Sequence, residues 1–169
     1  MGKALKSWSG MRRYLEKEML ADSLRGRVRY NCTTYVGMDG ARVFEVFFDG
    51  ELFKQFSWET VNSWFIRMGY AEKPEHMTES EYWDDFWKLM DEHPMKMRTE
   101  YTEAEFARAL EQYRQSPIEE SLRSKDPIVR MFALLDRRTG KRTLERMTDS
   151  IEEEPEWIRK VYEFRVNNG

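Results

Sequence analysis

Polar and apolar side chains alternate through residues 27–56, RVRYNCTTYVGMDGARVFEVFFDGELFKQF, and two Asp-Gly pairs interrupt the alternation. A period of two residues is typical of β-strands, because successive side chains point to opposite faces of a sheet. Asp-Gly favours the positive backbone angles of a tight hairpin turn. The segment therefore predicts three antiparallel strands, joined as a meander over 27–36, 42–48 and 51–56.

Helical periodicity begins on both sides of this meander. A first helix is predicted over about residues 9–23 from apolar residues at helical spacing, namely Trp8, Met11, Leu15 and Met19. Ser57 is in position to cap a second helix, which ends at Gly69. The rest of the chain reads as helical from its start signals, which are Thr78, Thr102, Ser116, Asp126 and Glu154.

These elements predict an α+β fold, with an N-terminal helix, a three-stranded antiparallel β-meander and a helix, followed by a helical C-terminal half. We expect an αβββα subdomain over residues 1–69 and a helical subdomain over residues 78–169. Because apolar rings are frequent in both, the two are expected to share one core as a single domain.

The apolar residues of this 169-residue chain are unusual in kind. Twenty-four are aromatic and 11 are methionine, and the formal net charge is −3. Such a chain has enough apolar surface to fold, so disorder is excluded, and no stretch is apolar and long enough to span a membrane. Cys32 is the only cysteine and no signal peptide is recognisable, which favours the reducing cytoplasm.

Motifs that carry chemistry are missing from the sequence. The two histidines, His76 and His93, are 17 residues apart, without the spacing of a zinc site. No nucleophile elbow and no glycine-rich phosphate loop occurs. The sequence therefore predicts no catalytic residue, no metal and no cofactor, although an unfamiliar active site stays open as an alternative.

One candidate anion-binding site is the segment DRRTGKRTLER, residues 136–146, around a Thr139-Gly140 turn between two predicted helices. Fixed cations near a helix start are suited to a phosphate or carboxylate. The alternative is that these cations pair with the acidic helices around 79–92 and 149–156. The candidate residues are Arg137, Arg138, Lys141, Arg142 and Arg146.

A second candidate site is the polar face of the predicted sheet, where a ligand or peptide could stack and hydrogen-bond. Its residues are Arg27, Arg29, Asn31 and Tyr35. The alternative is the ordinary polar face of a half-exposed antiparallel sheet.

A third candidate site consists of aromatic side chains that the core of a monomer is not expected to have room to bury. These interaction aromatics are Phe47, Trp64, Trp83 and Trp87. Aromatic residues and arginine are enriched at protein interfaces. The leading hypothesis is therefore a non-catalytic cytoplasmic interaction protein with a protein partner or a homodimer surface. The alternative is a nucleic-acid or phosphate-ligand binder that uses residues 137–146.

Two resemblances accompany these hypotheses. Residues 9–69 resemble a double-stranded-RNA-binding domain in topology, but that family places lysines where this chain has Ser57-Trp58-Glu59-Thr60, so RNA binding is not implied. The whole chain resembles small bacterial proteins of unknown function, typical of Gram-positive species, in SWSGMRRYLE, GRVRYNCTTYVGMDG and DPIVRMFALLDRRTGKRTL. This second resemblance implies a soluble cytoplasmic protein and supplies no site residue.

Overall fold

A computed structural model describes residues 7–35, 41–68, 73–92 and 98–169 and has the predicted α+β fold. An N-terminal helix precedes a three-stranded sheet, and helices make up the rest. The strands are β1 (Val28–Tyr35), β2 (Ala41–Phe48) and β3 (Glu51–Phe56). The α-helices are α1 (Trp8–Arg13), α2 (Trp58–Arg67), α3 (Glu79–Glu92), α4 (Glu103–Gln115), α5 (Ile118–Leu122), α6 (Pro127–Leu135), α7 (Lys141–Met147) and α8 (Glu156–Asn167).

The sheet is the predicted antiparallel meander, in the order β1-β2-β3. Asn31 lies opposite Glu45, which fixes the register of the first hairpin. The second hairpin turns at Asp49 and Gly50, whose φ angles of 50° and 84° match the positive angles expected of Asp-Gly. The first Asp-Gly pair lies outside the described residues.

One face of the sheet packs against the C-terminal helices through a column of rings. The rings of Phe44 and Phe106 stack with centroids 4.5 Å apart, and Phe106 meets Phe132 edge-on at 5.4 Å. Every residue of α6 is buried, which confirms its predicted central position. The main core therefore contains residues from before and after α3. The division into two subdomains at residues 70–77 stays a prediction.

A second, smaller cluster joins α2 to α3. Val61, Trp64 and Phe65 of α2 pack with Phe86 of α3, and all four are buried. The rings of Phe65 and Phe86 are 4.7 Å apart. The two helices thus bury their apolar stripes mainly against each other, which determines what α3 leaves exposed.

The single helix predicted over residues 9–23 is wrong in its length and type. The α-helix ends at Arg13, a π-helical segment covers Tyr14–Met19, and Leu20 is extended. The Ala21 amide donates to the Leu135 carbonyl at 2.9 Å. This long-range main-chain bond takes the place of a further helical one. The helical spacing in the sequence therefore overestimates the length of the helix.

Most predicted helix starts are confirmed by cap hydrogen bonds. The side chains of Ser57, Thr78 and Thr102 each accept a backbone N–H three residues later, and Asp126 accepts that of Ile128. Ser116 differs, because its hydroxyl donates back to the Gln112 carbonyl and α5 begins after Pro117 without a side-chain cap.

Candidate interaction surfaces

Three tryptophans from α2 and α3 lie together at the surface, and we call them the tryptophan patch. The ring of Trp58 lies 6.2 Å from that of Trp83 and 5.9 Å from that of Trp87. Trp83 is 41% exposed and Trp87 is 52% exposed. Large rings that share an exposed face are unusual for a surface helix, since burying one stabilises a protein by about 1.5–3 kcal/mol.

A buried phenylalanine, Phe86, packs under the tryptophan patch. Phe86 is only 5% exposed and contacts Trp58, Trp83 and Trp87 at centroid distances of 5.3, 5.6 and 5.6 Å. The exposed rings are therefore held in place by a buried one. A preformed aromatic surface loses little conformational entropy on binding a partner.

Two other predicted interaction aromatics lie elsewhere. Trp64 was expected at the surface, but it is only 6% exposed, because α2 turns it into the cluster with α3. Phe47 is half-buried on the outer face of the sheet, away from that cluster. Only Trp83 and Trp87 of the four therefore belong to the tryptophan patch, and Trp58 completes it.

Carboxylates flank the tryptophan patch. Glu79 precedes Trp83 by four residues and Asp84 precedes Trp87 by three, so both lie next to the patch on the helix surface. Both are exposed. The surface therefore combines apolar rings with negative charge.

The five cations of the predicted anion segment do not form one site in the structure. Arg138 forms an ion pair with buried Asp136 and is not available to a ligand. Its guanidinium donates to both oxygens of Asp136, at 3.1 and 2.7 Å, and Asp136 is 1% exposed. The hydroxyl of buried Tyr113 donates to the same carboxylate. Burial and the neighbouring carboxylate raise the pKa of Tyr113, so its hydroxyl stays a donor. This unit joins α4 to the turn before α7.

The cations of the segment lie on different surfaces. Arg137, Lys141 and Arg142 are exposed, and no described carboxylate lies within ion-pair distance of any of them. Arg146 and Arg138 instead line a groove of about 360 Å³ between α5 and α7, together with Arg123, Glu119, Thr143 and Ser150. We call this the arginine groove. The sequence did not single out Arg123, which lies outside the basic run.

The predicted sheet-face residues also separate. Arg27 binds both carboxylate oxygens of Asp49, at 2.8 and 2.7 Å, and so holds the second hairpin turn. Arg29 and Asn31 are exposed on the outer face, and Asn31 donates to Glu45 at 2.9 Å. The Tyr35 side chain lies outside the described part of the structure.

Sequence reasoning missed a buried lysine at the edge of the main core. The Lys54 ammonium lies 4.7 Å from the Trp157 ring centroid and 5.4 Å from that of Tyr101, and it donates to the Thr99 carbonyl. Burial lowers the pKa of Lys54 to about 8, although Glu100 at 3.9 Å opposes the shift. Alternation in β3 offered a signal, since Lys54 occupies an inward position two residues before buried Phe56.

Other reactive groups give no indication of catalysis. Burial raises the pKa of the Cys32 thiol, which keeps it protonated and a poor nucleophile. Within the described ranges, no cluster of three His, Cys, Asp or Glu side chains is arranged to hold a metal ion. Among the described helices, none has the length and hydrophobicity needed to cross a bilayer.

Comparison with known proteins gives a family but no characterised relative. No curated protein and no solved structure matches the chain significantly. A family model described as the SF0329 protein family matches residues 7–166. Because that match covers nearly the whole chain, the protein belongs to the SF0329 protein family.

Proposed function

We propose that this protein is a non-catalytic interaction protein that binds a basic, apolar segment of a partner protein through the tryptophan patch. The observation behind the proposal is the contact of three tryptophans on one exposed, firmly supported surface. Tryptophan is among the residue types enriched at interface positions that dominate binding energy. We further propose that the chain acts in the bacterial cytoplasm, in keeping with its single cysteine.

Charge at the rim favours one class of partner. Glu79 and Asp84 flank the rings, and Glu79 is only loosely paired with Lys73, at 3.9 Å, so the negative rim favours a cationic partner over a copy with the same rim. A segment with lysine or arginine beside leucine or aromatic anchors would instead satisfy both features. An amphipathic helix laid along α2 and α3 has this chemistry. The proposed partner is therefore a cationic amphipathic segment rather than a second copy of the chain.

The double variant Trp83→Ala/Trp87→Ala is expected to weaken binding of such a segment at least about tenfold. A suitable ligand is a fluorescein-labelled amphipathic helix of leucine and lysine, about four turns long. Fluorescence anisotropy measures its affinity for the native protein and for the variant. The loss follows from removing two rings of the patch that are 41% and 52% exposed in the native protein.

Two control variants distinguish binding at the tryptophan patch from non-specific binding to other exposed apolar residues. Leu52→Ala and Val166→Ala remove apolar residues that are 52% and 45% exposed elsewhere, and they should leave the affinity unchanged. A peptide with glutamate in place of lysine should bind much more weakly. Equal affinity of the double variant, equal binding of the glutamate peptide, or a native dimer that the double variant abolishes would refute the proposed partner class.

A second candidate function is binding of a phosphorylated small ligand in the arginine groove. The observation that favours it is that Arg123 and Arg146 line one groove, in which Glu119 is a carboxylate and Arg138 is already bound to Asp136. No described carboxylate forms an ion pair with Arg123 or Arg146, so their guanidinium groups remain available to an anion. The hydroxyls of Thr143 and Ser150 line the same groove and can donate hydrogen bonds.

Pyrophosphate tests the arginine groove directly. The Arg123→Ala/Arg146→Ala variant should lose at least about tenfold in affinity by calorimetric titration, because charge-assisted bonds to phosphate are strong. The Arg137→Ala/Arg142→Ala variant changes the net charge equally outside the groove and should bind like the native protein. Absence of binding by the native protein, or an equal loss in both variants, would rule this function out.

A further inference from the structure

A basic groove runs between the N-terminal helical segments and the edge of the sheet, and it shares Arg29 with the predicted sheet-face site. This N-terminal groove has a volume of about 700 Å³. Of the residues that the structure describes, five cations and one carboxylate line it, together with Trp8. The charged residues are Arg12, Arg13, Lys17, Arg25, Arg29 and Glu16. The excess of positive charge is local, since the whole chain has a net charge of −3.

Two of these cations are available to a ligand. Among the described residues, no carboxylate lies within ion-pair distance of Lys17 or Arg29. Arg13 pairs with Glu18 only loosely, at 3.7 Å, and both side chains are more than half exposed. Exposed pairs of this kind contribute little energy, so an anion can displace the carboxylate at small cost.

Among the described residues, the one carboxylate that lines the N-terminal groove is already neutralised. Glu16 Oε1 accepts the backbone N–H of Tyr30 at 2.8 Å and the Nε–H of Arg12 at 3.1 Å. Its side chain is only 15% exposed. Glu16 thus closes the edge of β1 and does not compete for the exposed cations.

The π-helical segment gives this groove an irregular wall. A six-residue π-helix is rare, and such distortions are common at functional sites. Its wider turn brings Arg13 toward Glu18, five residues on, and leaves Lys17 exposed beside them. The distortion therefore spaces cations differently from an ordinary helix.

A second groove of about 350 Å³ continues across the open face of the sheet. Arg12 and Arg29 line both grooves, and the continuation adds Asn31 and the half-buried ring of Phe47. The extended surface therefore presents cations first and then a ring, beside the Asn31 amide that donates to Glu45 at 2.9 Å. Cations follow a phosphate backbone, and an aromatic ring stacks on a base without regard to sequence.

We propose that the N-terminal groove and its continuation bind single-stranded nucleic acid. Its phosphates lie along Arg13, Lys17 and Arg29, and a base stacks on Phe47 beside Asn31. The site is distinct from the tryptophan patch and does not depend on it. An open sheet face that offers one ring suits an unpaired base, whereas the rings of bases within a duplex are already stacked.

The Arg13→Ala/Lys17→Ala variant should bind single-stranded RNA at least about tenfold more weakly than the native protein. A fluorescein-labelled oligouridylate of about 12 nucleotides, followed by anisotropy at about 50 mM salt, measures the affinity. The slope of log affinity against log salt should become shallower by about 1.4, since two phosphates lose their cations. Arg137→Ala/Arg142→Ala removes the same charge elsewhere and should bind within about twofold of the native protein.

Phe47→Leu tests the nucleic-acid assignment, because leucine fills similar space without an aromatic face. It should weaken oligouridylate binding at least about fivefold and leave heparin binding unchanged. No oligouridylate binding by the native protein, or equal losses in the two double variants, would overturn the proposal. An unchanged oligouridylate affinity in Phe47→Leu would overturn it too, since the groove would then be a general polyanion site.

Discussion

Replacing Asp136 with alanine is expected to lower the free energy of unfolding by about 3 kcal/mol. The carboxylate is fully buried and receives the hydroxyl of Tyr113, the guanidinium of Arg138 and the Arg138 backbone N–H at 2.7 Å. Alanine would leave the buried Tyr113 hydroxyl without its acceptor and would remove the local bond that shapes the turn. Urea unfolding followed by circular dichroism measures the change.

Two variants isolate the cause of that loss. Asp149→Ala removes an exposed carboxylate and should change the free energy of unfolding by less than about 0.5 kcal/mol. Tyr113→Phe removes one of the three donors and should cost about 1 kcal/mol. A loss in Asp136→Ala no larger than that in Asp149→Ala would show that the buried network does not stabilise the fold.

The same network shows why the anion segment could not be resolved from sequence. A run of arginines and lysine predicts positive charge, but which cation remains available depends on the position of Asp136. That aspartate lies where the chain meets residues 19–20, more than a hundred residues away, and there the Arg137 amide donates to the Met19 carbonyl at 2.8 Å. Local spacing contains no information on this contact. The structure therefore keeps Arg146 as a candidate and gives Arg138 a structural position.

Local chemistry did predict much of the fold. The second Asp-Gly turn, the strand alternation and four helix caps each depend on residues a few positions apart, and each is confirmed. The prediction of one long N-terminal helix was wrong because residues in it bond outside it. Glu16 accepts the backbone N–H of Tyr30, and Leu20 forms a bridge with Asp136. Exposure of the tryptophans was partly predictable. Helical spacing placed Trp83 and Trp87 together, but it did not show that Trp64 would be covered by α3.

The sequence contains a signal for the N-terminal groove. Residues 1–30 contain eight basic and three acidic side chains, an excess larger than that of residues 137–146. What sequence could not show is that an irregular helix places part of this excess opposite Arg29 at the edge of β1. The charge composition predicts a basic surface, but contacts between residues far apart in sequence determine whether that surface forms a groove.

Replacing Lys54 with methionine is expected to remove a pH dependence of stability between pH 7 and pH 9.5. The pKa of Lys54 is about 8 in the folded protein, below its ordinary value of 10.5. Between these values the unfolded chain holds a proton that the folded chain has lost, so stability rises with pH. The native protein should gain about 2 kcal/mol relative to Lys54→Met across this interval.

The test compares the pH dependence of stability of the native protein with that of Lys54→Met, because other groups also titrate. Burial raises the pKa of Tyr30 and Tyr101, and their contribution opposes the lysine only as pH passes 10. Lys88→Met, on the exposed surface of α3, should keep the native pH dependence. If denaturation midpoints of native protein and Lys54→Met stay a constant distance apart from pH 7 to pH 9.5, the folded lysine titrates normally. Its ammonium would then have to reach water, contrary to the burial among Tyr101, Trp157 and Phe56.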